Sequence, residues 1–156
     1  MPIITYPSSL LRKKSKKIKK FNEPEIKILS EELLGILKKE NGLGLAAPQV
    51  GQHLKMIAIN TKQDDQIFIN PKITFKSFFR NEIAEEGCLS LPNIFGLVKR
   101  AKKVKVKYYN LEGKKIKIKA EGLLARVFQH EIDHLNGILF IDKAKEITKG
   151  KELLEK

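Results

Sequence analysis

Between residues 24 and 40 the apolar positions Ile26, Leu29, Leu33 and Leu37 return every three or four residues, the period of one helix face. Pro24 suits a first helical position, and Asn41-Gly42 supplies a stop. Residues 43–51, Leu-Gly-Leu-Ala-Ala-Pro-Gln-Val-Gly, read as a loop of small residues. Leu54 to Asn60 and Gln66 to Asn70 predict short strands around the polar turn Lys62-Gln63-Asp64-Asp65, and residues 72–79 and 82–84 predict more strand. Lys103 to Tyr109 and Lys115 to Lys119 alternate lysine with apolar residues, and Asn110-Leu111-Glu112-Gly113 joins them into a hairpin with one wet face. From 122 to 135 the period becomes helical again, through Leu123, Val127, Ile132 and Leu135, and Gly137 stands where a terminating glycine belongs. Several antiparallel strands and two helices predict an α+β fold, with the sheets packed around a C-terminal helix and an N-terminal helix added.

The 156 residues suffice for one domain, read here as 1–156 with a short charged tail from about 143. Residues 149–156 are long enough for only about two helical turns. No apolar run approaches a membrane span, and the N-terminus lacks the order of a signal peptide, so the expected location is cytoplasmic. One cysteine, Cys88, excludes an internal disulfide. The net charge of +13 raises a nucleic-acid or ribosome partner, but the lysines are spread along the chain, in clusters at 12–20, 99–107 and 114–119. With no paired aromatic platform and no nucleic-acid motif in view, a solvated lysine-rich surface is the favoured reading, with no DNA and no membrane partner.

The chemistry concentrates in Gln129-His130-Glu131-Ile132-Asp133-His134. Residues four apart on a helix share a face, so the imidazoles of His130 and His134 can reach one ion. Glu131 lies beside that face, placed to take a proton from a metal-activated water, the HExxH arrangement. A catalytic site of this kind needs a third protein ligand and an open position. The metzincin position falls on Phe140, which cannot ligate. Glu146, Glu152 and Glu155 lack supporting context, and His53 reads as an exposed turn residue. Cys88, in the polar-flanked turn Glu85-Glu86-Gly87-Cys88-Leu89-Ser90, is the better candidate, because a thiolate beside a divalent ion is a strong ligand.

Three segments together resemble the peptide deformylases: Gly42-Leu43-Gly44-Leu45-Ala46-Ala47-Pro48-Gln49, Glu86-Gly87-Cys88-Leu89-Ser90 and Gln129 to His134. Their order and spacing match, and the similarity runs from about Thr5 to Asp142. The resemblance implies hydrolysis of the formyl group from the N-formyl-methionine of nascent peptides. It implies one divalent metal per chain, Fe(II) by preference, with zinc, nickel or cobalt as substitutes, held by Cys88, His130 and His134. Glu131 would be the proton carrier, and the Leu89 N–H and the Gln49 side-chain amide would hold the oxyanion. Asp133 would pair with Arg100 and steady the helix. Leu43, Leu123, Val127 and the edge of His130 would line the methionine pocket, with Glu86 and Arg126 near its rim. Gly42, Gly44 and Gly87 belong to the substrate-binding segments, and Gly42 and Gly44 would let a peptide approach as an added strand.

A metalloprotease using the same HExxH, or a non-catalytic basic binder of ribosomal RNA, would each use part of this sequence, but only a deformylase uses all three segments. A monomer is expected. Ribosome docking through the short tail has little to recommend it.

Overall fold

The computed structural model describes residues 1–154. Its first helix, α1 (Pro24–Lys39), starts with Pro24 in its first turn and buries Ile26, Leu29, Leu33 and Leu37, the face the periodicity predicts. It stops where expected, but Asn41 (φ 52°) rather than glycine takes the left-handed turn, and the Gly42 N–H donates back to the Leu37 carbonyl at 3.0 Å.

The strands are β1 (Gly44–Ala46), β2 (Met56–Asn60), β3 (Asp65–Lys76), β4 (Asn81–Cys88), β5 (Leu91–Ala101), β6 (Lys103–Tyr109) and β7 (Lys115–Glu121). The helix α2 (Gly122–Leu135) and the single turn α3 (Phe140–Lys143) come next, and β8 (Ala144–Lys149) closes the series. These strands pair antiparallel throughout, in one sheet ordered β1-β2-β3-β6-β7 and another ordered β4-β5-β8.

Several boundaries differ from the sequence reading. The 43–51 segment is not all loop: it holds β1 and a 3₁₀ turn, Ala47–Val50. The expected strands at 66–70 and 72–79 are one strand, β3. At the join Asn70 takes φ 51° and its side chain bonds the backbone N–H and carbonyl of Ile18, at 2.9 and 2.8 Å. The strand ends at Lys76, because Ser77 turns its hydroxyl to the Arg80 carbonyl, 2.6 Å away. The expected 82–84 strand is the first part of a longer β4. β5 was not foreseen, since Pro92, Asn93 and Gly96 break its pattern. The charged tail is in part a strand: residues 144–149 pair with β5, and a 3₁₀ turn covers Lys151–Leu153. Residues 155 and 156 lie outside the described part.

The helix α2 crosses the five-stranded sheet. Phe128 packs edge-on against Phe68, with ring centroids 4.9 Å apart, and Phe68 in turn meets Tyr108 at 4.6 Å. Burying one such ring stabilises the fold by roughly 2–3 kcal/mol. The opposite face of β1–β3 is covered by α1, whose Leu29, Leu33 and Leu37 join Met56, Ala58 and Ile69. At the end of α2 the Gly137 N–H reaches the His134 carbonyl and the Ile138 N–H reaches the Asp133 carbonyl, at 3.1 and 3.0 Å. Gly137 has φ +74°, and a Cβ there would lie 2.2 Å from the Arg12 carbonyl oxygen, so only glycine fits.

Candidate active site

Two elements bring the chemistry together. Alternation along β4 puts Glu86 and Cys88 on one strand face, and α2 presents His130, Glu131 and His134 towards it. Cys88 is the last residue of β4 rather than a turn residue, followed by a two-residue turn into β5. One donor atom from each of Cys88, His130 and His134 lies within 4.8 Å of the others, and Cys88 Sγ is 3.3 Å from His134 Nε2. Among the described residues, neither Glu146 nor Glu152 joins any such group, and Glu155 lies outside them. His53 is half-buried rather than exposed and ties the N-terminal segment, its Nε2 being 2.8 Å from the Leu10 carbonyl.

Glu86 and Arg126 are not rim residues. Glu86 is buried and holds three partners: His130 Nδ1 at 2.8 Å, Arg100 through two nitrogens at 2.9 and 3.0 Å, and Arg126 at 2.6 Å. Burial resists its ionisation, but the bonds from His130 and Arg100 outweigh that and hold its pKa at about 2. Arg126 also donates to the carbonyls of Val98 and Glu82, at 2.9 and 2.7 Å. Arg100 reaches onward to Asp133 at 2.6 Å, the expected pair, and Lys143 joins Asp133 at 3.0 Å. The sequence reading missed that Glu86 fixes His130. The available signal was the two-residue spacing from Cys88, which puts both side chains on one strand face. It also missed Ser90, whose hydroxyl accepts from Gln49 Nε2 at 3.0 Å.

Gln49 is held rigidly. Its carbonyl oxygen accepts from the Ala46 N–H at 2.9 Å, and its nitrogen also points at Cys88 Sγ, 3.5 Å away. Gln129 spans from α2 to β5, accepting from the Ala101 N–H at 3.0 Å and donating to its carbonyl at 2.9 Å.

Glu131 lies at the bottom of a cleft of about 320 Å³ lined by Leu43, Gly44, Leu89, Leu123 and Val127, among others. Leu43 and Leu123 are exposed at its mouth, whereas Val127 is buried. Burial is the main cause that lifts the Glu131 pKa to about 7; Glu86 and Asp133 add to it while His130 and Arg100 oppose it. One of its oxygens is buried with no partner. Gly44 has its own reason to be glycine: a Cβ there would meet the Glu131 carboxylate at 2.7 Å, so the close approach comes from the protein's own acid. At Gly42 an added Cβ would press on Leu37 and Leu89, at 3.3 and 3.4 Å. At Gly87 it would strike the Phe95 ring at 2.6 Å.

The two histidines differ. Burial works against charge on His130, but its bonds to Cys88 and Glu86 and the charge of Glu131 raise its pKa well above the ordinary value. Burial and the neighbouring His130 push His134 well below it. With Nδ1 of His130 engaged by Glu86, its Nε2 is left for the cluster. One sulfur and two imidazole nitrogens, with an unpartnered carboxylate oxygen alongside, suit a borderline divalent ion such as iron, zinc, nickel or cobalt.

Comparison with known proteins agrees with this construction. The family model described as polypeptide deformylase matches residues 1–150. The peptide deformylase of Desulforudis audaxviator is 43% identical over 151 residues, covering 96% of this chain and 97% of its own. The crystal structure of the Thermotoga maritima peptide deformylase superposes with a TM-score of 0.88 at 40% identity, covering 92% of this chain and 97% of its own. A Met-Ala-Ser-bound crystal structure of a peptide deformylase from Acinetobacter baumannii gives 0.85 at 32% identity, covering 92% and 97%. On the strength of that family match and those near-full-length relatives, this chain belongs to the peptide deformylase family.

Proposed function

We propose that this chain hydrolyses the formyl group from N-formyl-methionyl peptides, with Glu131 as proton carrier and Cys88, His130 and His134 as the metal-holding residues. The observation that supports this best is a buried carboxylate of raised pKa, standing beside a Cys-His-His donor group at the floor of an apolar cleft. A divalent ion held by Cys88, His130 and His134 would supply an acidified water and positive charge for the developing oxyanion. Fe(II) is the metal we favour, for the family resemblance and the mixed sulfur and nitrogen donors.

The chain's own groups do the rest. Leu43, Leu123 and Val127 take the methionine side chain, and their apolar surface keeps bulk water from the formyl carbon. A peptide backbone lies as an added strand against β1, which among the described residues has no strand on its outer side, facing the end of β4. Peptide binding at this cleft is the reading we take from the Met-Ala-Ser-bound relative. Glu131, buried beside the donor group with one oxygen unpartnered, accepts a proton from the attacking water and returns it to the departing amine. The Leu89 N–H and one hydrogen of the Gln49 amide donate to the oxyanion. The hydrogen aimed at Cys88 Sγ, 3.5 Å away, makes the weaker of the amide's two contacts and is the one the oxyanion would take. Glu86 holds His130 by its Nδ1, and Arg100 and Arg126 keep Glu86 ionised for that task.

Formate release from formyl-Met-Ala-Ser tests the proposal. Anaerobically iron- or nickel-loaded protein should release formate, and Glu131→Ala should lose at least a hundredfold with the metal retained. Cys88→Ser should lose both metal and turnover. Internal cleavage of unformylated peptides with no formate release would show a metalloprotease instead.

A further inference from the structure

The hairpin of β6 and β7, together with the second half of β3, carries a feature the cleft does not use. Val104, Val106 and Tyr108 on β6, and Ile116, Ile118 and Ala120 on β7, pack against the core beside α2. Their alternating neighbours therefore face the other side. Strand register puts Lys72 of β3, Lys107 of β6 and Lys117 of β7 directly opposite one another in one row. The next row is Phe75, Lys105 and Lys119, and Lys115 stands at the end of β7 opposite Tyr109. Cross-strand partners on one face are only about 4.5–5.5 Å apart at Cβ, and like charges so placed destabilise a sheet. The effect is visible at Lys107, whose pKa is lowered, first by Lys115 and then by desolvation, Lys72, Lys117 and Lys17. Among the described residues the single ion pair on these strands is Lys103 with Glu121, 3.3 Å apart at the far end of the hairpin.

An exposed aromatic lies within the same face. Phe75 is 48% exposed, and the Lys105 ammonium sits over its ring, 5.4 Å from the centroid. Just past β3, Phe78 and Phe79 are 81% and 92% exposed. Their loop is tied on both sides: Ser77 and Lys103 exchange bonds, and the Lys102 N–H reaches the Arg80 carbonyl at 2.8 Å. Rows of cations on a rigid sheet with an aromatic face among them match one partner chemistry, a single strand of phosphodiesters whose bases are free to stack. A lipid surface fits less well, because the cations stand as ordered rows on a sheet, without the apolar face of an interfacial helix.

We propose that the lysine rows of β3, β6 and β7 form a second binding surface, for single-stranded RNA, with Lys72, Lys107 and Lys117 on phosphates and Phe75 stacking a base. The surface is formed by the sheet face turned away from α2, and it stands whether or not the cleft hydrolyses formamides.

The test is fluorescence anisotropy of the metal-loaded full chain with a labelled 12-nucleotide RNA across a salt series, for the wild type, Lys72→Gln/Lys107→Gln/Lys117→Gln and Phe75→Ala. Each lost phosphate contact should lower the slope of log K against log salt by about 0.7 on single strands, so the triple variant should lose about 2. Phe75→Ala should weaken binding about fivefold or more with an unchanged slope. Removing like charges from opposed positions should raise the triple variant's Tm as its RNA affinity falls, which separates lost contacts from lost folding. Formate release from a free formyl peptide should be unchanged in both variants. No RNA binding by the wild type at 100 mM salt, a triple variant that binds as the wild type does, or tighter binding to phosphatidylserine vesicles than to RNA would each overturn the proposal.

Discussion

Replacing Glu131 with glutamine should make the metal-free protein more stable at pH 8 while abolishing turnover. The carboxylate is buried, with one oxygen unpartnered, and its pKa is lifted from an ordinary 4.5 to about 7. A carboxyl with a raised native pKa binds more protons folded than unfolded between those two values. The fold therefore loses stability as pH rises from about 4.5 through about 7, and the loss is complete above that. The gap corresponds to about 3 kcal/mol carried against the fold by the ionised group. Glutamine has the same shape and no charge, but its amide leaves a buried donor without a partner, which costs about 1 kcal/mol. The net gain at pH 8 is about 2 kcal/mol, or roughly 4–8 °C in Tm for a chain of this size. At pH 5 the wild-type carboxyl is already protonated and the gain should fall to near zero. Thermal melts of chelator-treated wild type and Glu131→Gln at pH 5 and pH 8 measure this directly. A Tm difference of equal size at both pH values, or a variant less stable at pH 8, would refute the electrostatic reading of this site.

Other consequences are open to measurement. Glu86→Gln leaves two buried guanidinium groups without their shared carboxylate and should cost about 3–5 kcal/mol by urea denaturation at pH 7. Because the native pKa of Glu86 is about 2, its stabilisation is present above about 4.5 and lost as pH falls from there. The variant's deficit should shrink in acid melts towards pH 3. Gly44→Ala should cut kcat for formate release by at least tenfold, because the new methyl contests the position of the Glu131 carboxylate 2.7 Å away; unchanged kcat would mean that Glu131 can shift without penalty. Gly137→Ala should destabilise the chain by more than about 2 kcal/mol in denaturant melts, since both its φ of +74° and the Arg12 carbonyl oppose a side chain.

What the sequence disclosed followed local periodicity. The two helices were legible because Leu29, Leu33 and Leu37, and later Val127 and Leu135, keep one face for several turns. The β6–β7 hairpin was legible because Lys and Val or Ile alternate without interruption. β5 was hidden because Pro92 falls where its register with β4 shifts, between the Leu91 and Gly96 pairings, and Gly96 is placed by Glu86 and Ile147, partners remote in sequence. The same remoteness hid β8 and the ion pairs of Glu86. Arg100 and Arg126 are ordinary charged residues in the sequence, and only folding converges them on one carboxylate. The proposed catalytic group was legible because a helix keeps His130, Glu131 and His134 in fixed phase, whereas Cys88 entered by asking what the histidines lacked.

The buried Glu86 carboxylate means that the histidine helix is not a portable part. One acid from β4 sets the ring of His130, one arginine from β5 and another from α2 keep that acid charged, and Asp133 shares the first arginine. Grafting the five residues from His130 to His134 onto another scaffold would move the two proposed ligands and the proposed base but leave behind the groups that aim them. A designer would have to transplant a connected set from three elements. Changes within that set should compensate or aggravate one another rather than add.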